Sequence, residues 1–191
     1  ISWPFLMIFF KFFVHFETES QENLKKLEGP LIVASSHISW MDPFLIGISL
    51  PFWSKLFPVR YACWHKYYYS IRFLAIPWLF GSFPIEKGVG LDKALKTPVE
   101  LLKKGQVIGI FPEGKRTMRG ESKGKRGAAY LAFKTQAKIL PIKIEGNPNR
   151  GVLNFLFRGQ RMKVKIGKAF ALPHQRVNSV EDLNEPTNLI M

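Results

Sequence analysis

The chain has 191 residues and is 47% apolar, which suits one domain with a sizeable core and excludes an intrinsically disordered chain. Its formal charge of +14 comes from 28 Lys and Arg against 14 Asp and Glu; residues 1–60 hold five of each sign, so the whole excess lies in residues 61–191. One cysteine excludes an internal disulfide or a cysteine zinc cluster, and the charge points to phosphate, on nucleic acid, on anionic lipid, or on a phosphorylated substrate and its carrier.

Residues 1–16 are apolar except for Ser2, Lys11 and His15. They fall short of the roughly 20 residues of a spanning helix and lack the basic start and cleavage site of a signal peptide. Phe5, Phe9, Phe12, Phe13 and Phe16 recur at helical spacing. A core helix would explain this, as would an aromatic helix lying in one leaflet; so many rings favour the leaflet. Residues 17–28 are polar and acidic, a surface connection or short helix, and 1–29 together read as a membrane-associating helical segment.

Residues 31–36 form an apolar, partly β-branched run that reads as a buried strand. A helix over 43–50 follows, with Asp42 as its cap and Pro43 at its first position. Between them lie His37 and Asp42, five residues apart. On one helix that spacing rotates the two by roughly 140°. Across a strand-to-helix turn, however, the carboxylate can fold back onto the imidazole. A His oriented by a carboxylate is a general base. The competing reading is an ordinary cap Asp beside an unrelated His.

Further along, 59–64 reads as a strand holding Cys63, a poor nucleophile if buried. Residues 65–80 are aromatic, with Trp64, Tyr67, Tyr68, Tyr69 and Trp78 around Lys66 and Arg72, as at a membrane interface. A short strand at 82–86 precedes a helix at 90–104, which Pro98 kinks or splits at Thr97. A buried strand at 106–111, an Ala-rich helix at 125–136, strands at 139–144 and 162–166, and a poorly ordered polar tail over 173–191 complete the chain. Strands alternating with helices give the α/β class: one layered domain over 30–172 with a mixed, partly parallel sheet flanked by helices, preceded by the apolar membrane-associating helix.

Two further stretches carry chemistry. Phe111-Pro112-Glu113-Gly114-Lys115-Arg116-Thr117 follows the end of a buried strand, where ligands bind in α/β sheets. Gly114 allows a tight turn, and Lys115 and Arg116 suit phosphate. Alone, Pro-Glu-Gly-Lys reads better as a charged surface turn, but residues 115–126 hold six cations and one anion, a density that favours an anion site. The second stretch, Gly81-Ser82-Phe83-Pro84-Ile85-Glu86-Lys87-Gly88, also ends a strand with a cation.

In order and spacing these stretches resemble the glycerolipid acyltransferases, the 1-acylglycerol-3-phosphate (lysophosphatidic acid) acyltransferases and their relatives. His37 and Asp42 match that family's His-x-x-x-x-Asp motif. Gly81 to Lys87 is similar to its Gly-x-x-Phe-Ile-x-Arg block, Phe111 to Thr117 to its Phe-Pro-Glu-Gly-Thr-Arg-Ser block, and Leu140-Pro141-Ile142 to its fourth, proline-centred block. The run from Lys125 to Ala129 resembles its basic helix start. The likeness covers about residues 30–170. Lys87 stands where Arg is usual, Lys115 and Thr117 replace Thr and Ser, and Ser36 stands where Asn is common.

The resemblance implies that His37 deprotonates the acceptor hydroxyl, Asp42 orients the imidazole, and Lys87, Glu113, Gly114 and Arg116 form the phosphate site. Ser39, Gly81, Lys115 and Thr117 support it, and no metal takes part. It implies no cofactor beyond the donor substrate, acyl-CoA or acyl-carrier protein. The expected partners are lysophosphatidic acid, an anionic bilayer and an acyl carrier protein, at the cytoplasmic face of a membrane (the bacterial inner membrane). Within the family, glycerol-3-phosphate or another lysolipid is the alternative acceptor. Further off stand a basic RNA-binding module and a catalytically silent lipid-binding protein.

Overall fold

The computed structural model describes residues 8, 16–51, 54–69, 81–86, 88–116, 124–146, 161–173 and 179–191. Of the apolar helix expected over 1–16, residues 1–7 and 9–15 lie outside the described residues, as do residues 70–80 of the aromatic block, Lys87 and Thr117. Among the described residues seven strands form one sheet: β1 Phe16–Glu19, β2 Leu31–Ser35, β3 Val59–Trp64, β4 Phe83–Ile85, β5 Val107–Ile110, β6 Lys138–Glu145 and β7 Met162–Ile166. Their order is β1-β7-β6-β2-β5-β3-β4, and of the pairs between them only β6 with β7 is antiparallel. The helices are α1 Asp42–Ser49, α2 His65–Tyr68, α3 Leu91–Ala94, α4 Lys96–Lys103, α5 Gly127–Thr135 and α6 Asn184–Ile190. The expected single α/β domain with a mixed sheet flanked by helices is therefore the fold observed.

The central strand β2 is buried along its whole length, and its period of two divides the core. Leu31 and Val33 join Met41, Leu45 and Ile46 around α1 on one face; Ile32 and Ala34 join Leu102, Ala129 and Leu131 of α4 and α5 on the other. Pro141 is tolerated inside β6 because the antiparallel ladder with β7 begins only at Ile142. Beside it the chain turns away at Gly167, whose N–H bonds the Pro141 carbonyl at 2.9 Å. A Cβ at Gly167 would come within 2.6 Å of the Pro141 ring, so only glycine permits that approach.

Three expectations need correction. Residues 16–29, read as part of a helical segment, instead place β1 on the sheet edge and a 3-10 turn over Gln21–Leu24. Glu17 and Glu19 of β1 lie opposite Lys163 and Lys165 of β7, and Lys163 pairs with Glu19, so charge complementarity holds a strand too polar to read as one. The 90–104 helix breaks at Leu95 rather than Thr97. Pro98 has no N–H to give the carbonyl four residues back, on Ala94, which is where α3 ends. Finally, the polar tail is not loose over 179–191: α6 and the 3-10 turn before it bury Leu183, Pro186, Thr187 and Ile190 against the α4–α5 face. Its few apolar residues sit at helical spacing within polar sequence, which hid them. Leu183→Ala is expected to lower stability by about 2 kcal/mol, measured by urea unfolding; an unchanged midpoint would show that α6 does not seal the core.

Candidate active site

Because β2, β3, β4, β5 and β6 run parallel, their carboxyl ends share one edge, where the His37 turn and the Phe111 turn both emerge. The two strands are adjacent, with Ala34 paired to Ile110, so the turns leave the sheet side by side. Asp42 opens α1 as its first helical residue, with Met41 at the cap position and no side-chain cap bond. The cap role expected for Asp42 is thus corrected: its carboxylate turns back into the loop. There Oδ2 meets His37 Nδ1 at 2.7 Å and accepts the N–H groups of Ile38 and Ser39, each at 2.8 Å. The carboxylate is fully buried while the His37 side chain keeps 20% exposure.

This geometry fixes the tautomer. A carboxylate only accepts, so Nδ1 carries the proton and Nε2 holds the lone pair, the arrangement of a base. The turn is braced from several sides. Ser39 is buried, and its hydroxyl accepts the Met41 N–H at 3.2 Å. Ser36 takes the Ile144 N–H at 2.9 Å and gives its own N–H to Ile142. Glu113 is buried, and its Oε1 accepts the His37 N–H at 3.4 Å.

Two contacts were not legible in the sequence. Phe111 stacks on the His37 ring, with centroids 4.1 Å apart and planes within 19°. Tyr61 stacks on the other side of the row, 5.9 Å from Phe111. Strand order explains the row, since β2, β5 and β3 are neighbours and deliver one ring each. The second missed contact is Lys125. Gly114 has φ +65°, and a Cβ there would lie 2.8 Å from Lys125 Nζ, so the lysine lies across the turn. Lys125 N–H also bonds the Pro112 carbonyl at 2.7 Å. The cation density of 115–126 was the available signal, although Arg126 serves elsewhere, bonding Asn184 at 2.8 Å.

The structure thus gathers His37, Asp42, Ser39, Glu113 and Gly114, with Lys115 and Arg116 exposed on the rim of the same turn. Gly81 is not brought there. It precedes β4, at the strand's amino end, where φ +58° demands glycine and Arg60 bonds its carbonyl at 3.4 Å. Cys63 lies half-buried in β3, and desolvation pushes its thiol up, away from thiolate chemistry. A recess of about 360 Å³ adjoins the site, lined by Ser35, Ser36, Glu113, Lys143, Lys165 and Met191 among others. Among the described residues no group of three or more potential metal ligands occurs.

A profile of the Acyltransferase family matches residues 15–145. The 1-acyl-sn-glycerol-3-phosphate acyltransferase of Bacillus subtilis (strain 168) is 31% identical over 150 residues, 78% of this chain and 70% of that protein. Its namesake in Borreliella burgdorferi is 28% identical over 141 residues, 71% of this chain. The chloroplastic LPAT1 of Arabidopsis thaliana, also named as such an acyltransferase, is 29% identical over 156 residues, 74% of this chain. This chain spans only 53% and 41% of the lengths of those last two relatives. The crystal structure of the 1-acyl-sn-glycerophosphate (LPA) acyltransferase PlsC from Thermotoga maritima superposes with a TM-score of 0.70 at 21% identity, covering 98% of this chain and 77% of that one. The profile match takes in the His37 turn, the Phe111 turn and the strands that carry them, and the chain belongs to the acyltransferase family.

Proposed function

We propose that the protein moves a fatty acyl group from a thioester, acyl-CoA or acyl-carrier protein, to the free sn-2 hydroxyl of 1-acylglycerol-3-phosphate, giving phosphatidic acid. The observation that carries the chemistry is the buried Asp42 carboxylate holding His37 Nδ1 at 2.7 Å, which leaves Nε2 as the base. His37 Nε2 takes the hydroxyl proton, and the oxygen attacks the thioester carbonyl. The tetrahedral intermediate then expels the thiolate, which recovers the proton from the imidazolium. Asp42 stabilises the transient positive charge, and no acyl-enzyme forms. The acceptor assignment is supported by relatives at 31%, 29% and 28% identity that all bear this name.

Arg116 and Lys115, exposed beside the His37 turn, and Lys125 across Gly114 supply the charge for the acceptor's phosphate, and Lys87 is assigned to the same clamp. Arg116→Ala is expected to raise the acceptor KM about tenfold with kcat within about twofold, and Arg116→Lys to recover part of the loss. A change in kcat alone would remove Arg116 from the clamp. The basic surface docks an acyl carrier protein or coenzyme A phosphates, and raising salt should weaken donor use more than acceptor use.

Among the described residues no helix is long and apolar enough to cross a membrane. The lipid acceptor therefore motivates surface attachment at the cytoplasmic face, through the Phe-rich segment 1–16 and the aromatics around Trp64 and Tyr69, exposed by 38% and 60%. The test is release of free thiol from a long-chain acyl-CoA with and without lysophosphatidic acid, glycerol-3-phosphate and other lysolipids in competition. Release that needs lysophosphatidic acid supports the assignment; preference for another acceptor moves it within the family, and release without any acceptor makes the protein a thioesterase.

A further inference from the structure

Tyr61 is a buried aromatic whose packing role is satisfied by its ring and whose hydroxyl is left over. On β3 it pairs directly with Gly109 of β5, and it lies on the α1 face of the sheet with Met41, Leu45 and Val107. Its ring fills the space that Gly109 leaves open and stacks on Phe111, which stacks on His37. The hydroxyl is buried and has no hydrogen-bond partner among the described residues. Among the described residues a second buried polar atom without a partner lies at the start of α1, on this face: Oδ1 of Asp42, the carboxylate oxygen that His37 does not use. Buried polar atoms are seldom left unpaired, and two orphans of complementary kind, one donor and one acceptor, are most simply satisfied through each other. Asp42 also acts electrostatically on Tyr61: burial first, then the Asp42 charge, hold the phenol proton well above its usual range, so Tyr61 stays a donor at every working pH.

We propose that Tyr61 is a positioning residue for the base, its hydroxyl donating across one bridging water to Asp42 Oδ1 and so fixing the carboxylate that orients His37. This rests on the reading of His37 and Asp42 as the catalytic pair. The bond holds the plane of the carboxylate and draws part of its charge to Oδ1, away from the oxygen that faces the imidazole. Among the described residues the charged groups on the turns beside the pair are Glu113, whose Oε1 receives the His37 N–H, Lys115 and Arg116, exposed on the turn that Glu113 opens, and Lys125, whose side chain lies across Gly114. None of these changes when Tyr61 becomes Phe.

The experiment compares Tyr61→Phe with the unaltered full chain, bound to vesicles of phosphatidylcholine and phosphatidylglycerol, by thiol release across pH. Phe keeps the ring and its stacking, so the melting temperature should hold. The expected result is a kcat lowered about tenfold, KM for both substrates within about twofold, and the acid limb of the kcat/KM profile moved to higher pH. A purely structural tyrosine predicts a lowered melting temperature with the kcat and pH profile unchanged, and that outcome overturns the proposal. His37→Ala assayed alongside separates the two ideas. If it is inactive while Tyr61→Phe behaves as the unaltered protein, this proposal alone fails; if it stays active, the catalytic pair fails and Tyr61 loses its role with it.

Discussion

His37→Ala is expected to lower acceptor-dependent kcat/KM roughly a thousandfold or more, with little loss of stability. The side chain is 20% exposed and its ring lies at the end of an aromatic row, so truncating it leaves β2 and α1 in place. Asp42→Asn should cost between about a hundred- and ten-thousandfold. Asn can still accept from Nδ1 and from the Ile38 and Ser39 N–H groups, so the turn keeps its shape. It brings no charge to stabilise the imidazolium, and its amide nitrogen can rotate toward Nδ1 and favour the wrong tautomer. Thiol release measured with saturating lysophosphatidic acid checks both. Retention of near-full turnover by either variant would end the general-base mechanism, whereas loss of both activity and secondary structure would assign the pair to folding.

The parts of this fold that were legible in the sequence are those where one local rule dominates. The central strand β2 is a continuous apolar run, and Asp42-Pro43 announces a helix start. The His37–Asp42 spacing permits contact only across a turn, and the structure gives that turn a 2.7 Å contact. What could not be read depends on strand order, which no short stretch encodes. The ring row of Tyr61, Phe111 and His37 exists because β5 lies between β2 and β3, and it joins His37 to Phe111, 74 positions further along the chain (111 − 37). Lys125 over Gly114 is likewise a contact between separate segments. Strand β1 was missed for another reason. At a sheet edge only alternate side chains face the core, and its polar positions, Glu17 and Glu19, look like loop until Lys163 and Lys165 are set opposite them.

Gly109→Ala should be the most damaging small substitution near the site. Gly109 sits in the fully buried part of β5, opposite Tyr61 on β3. A Cβ there would lie 2.2 Å from Tyr61 Cε1, 2.5 Å from Cδ1 and 2.8 Å from Cζ, all inside contact distance. The ring has little room to retreat, since Tyr61 is 5% exposed and stacked on Phe111. Overpacking of this kind costs about 3 kcal/mol where the neighbour is confined, so the urea midpoint should fall well below that of the unaltered chain. The displacement also has a direction. Pushing the Tyr61 ring presses on Phe111, 5.9 Å away, and through it on His37, 4.1 Å further along the row. The kcat of the folded fraction should therefore fall about tenfold while the acceptor KM, set by the turn at Arg116, stays within about twofold. Adding Tyr61→Val should restore stability, because the atoms in conflict are gone, without restoring kcat, because the row is broken. A destabilised Gly109→Ala with normal kcat would mean that the aromatic row packs the core but does not set the angle of the base; a fully stable one would mean that the Tyr61 ring swings aside.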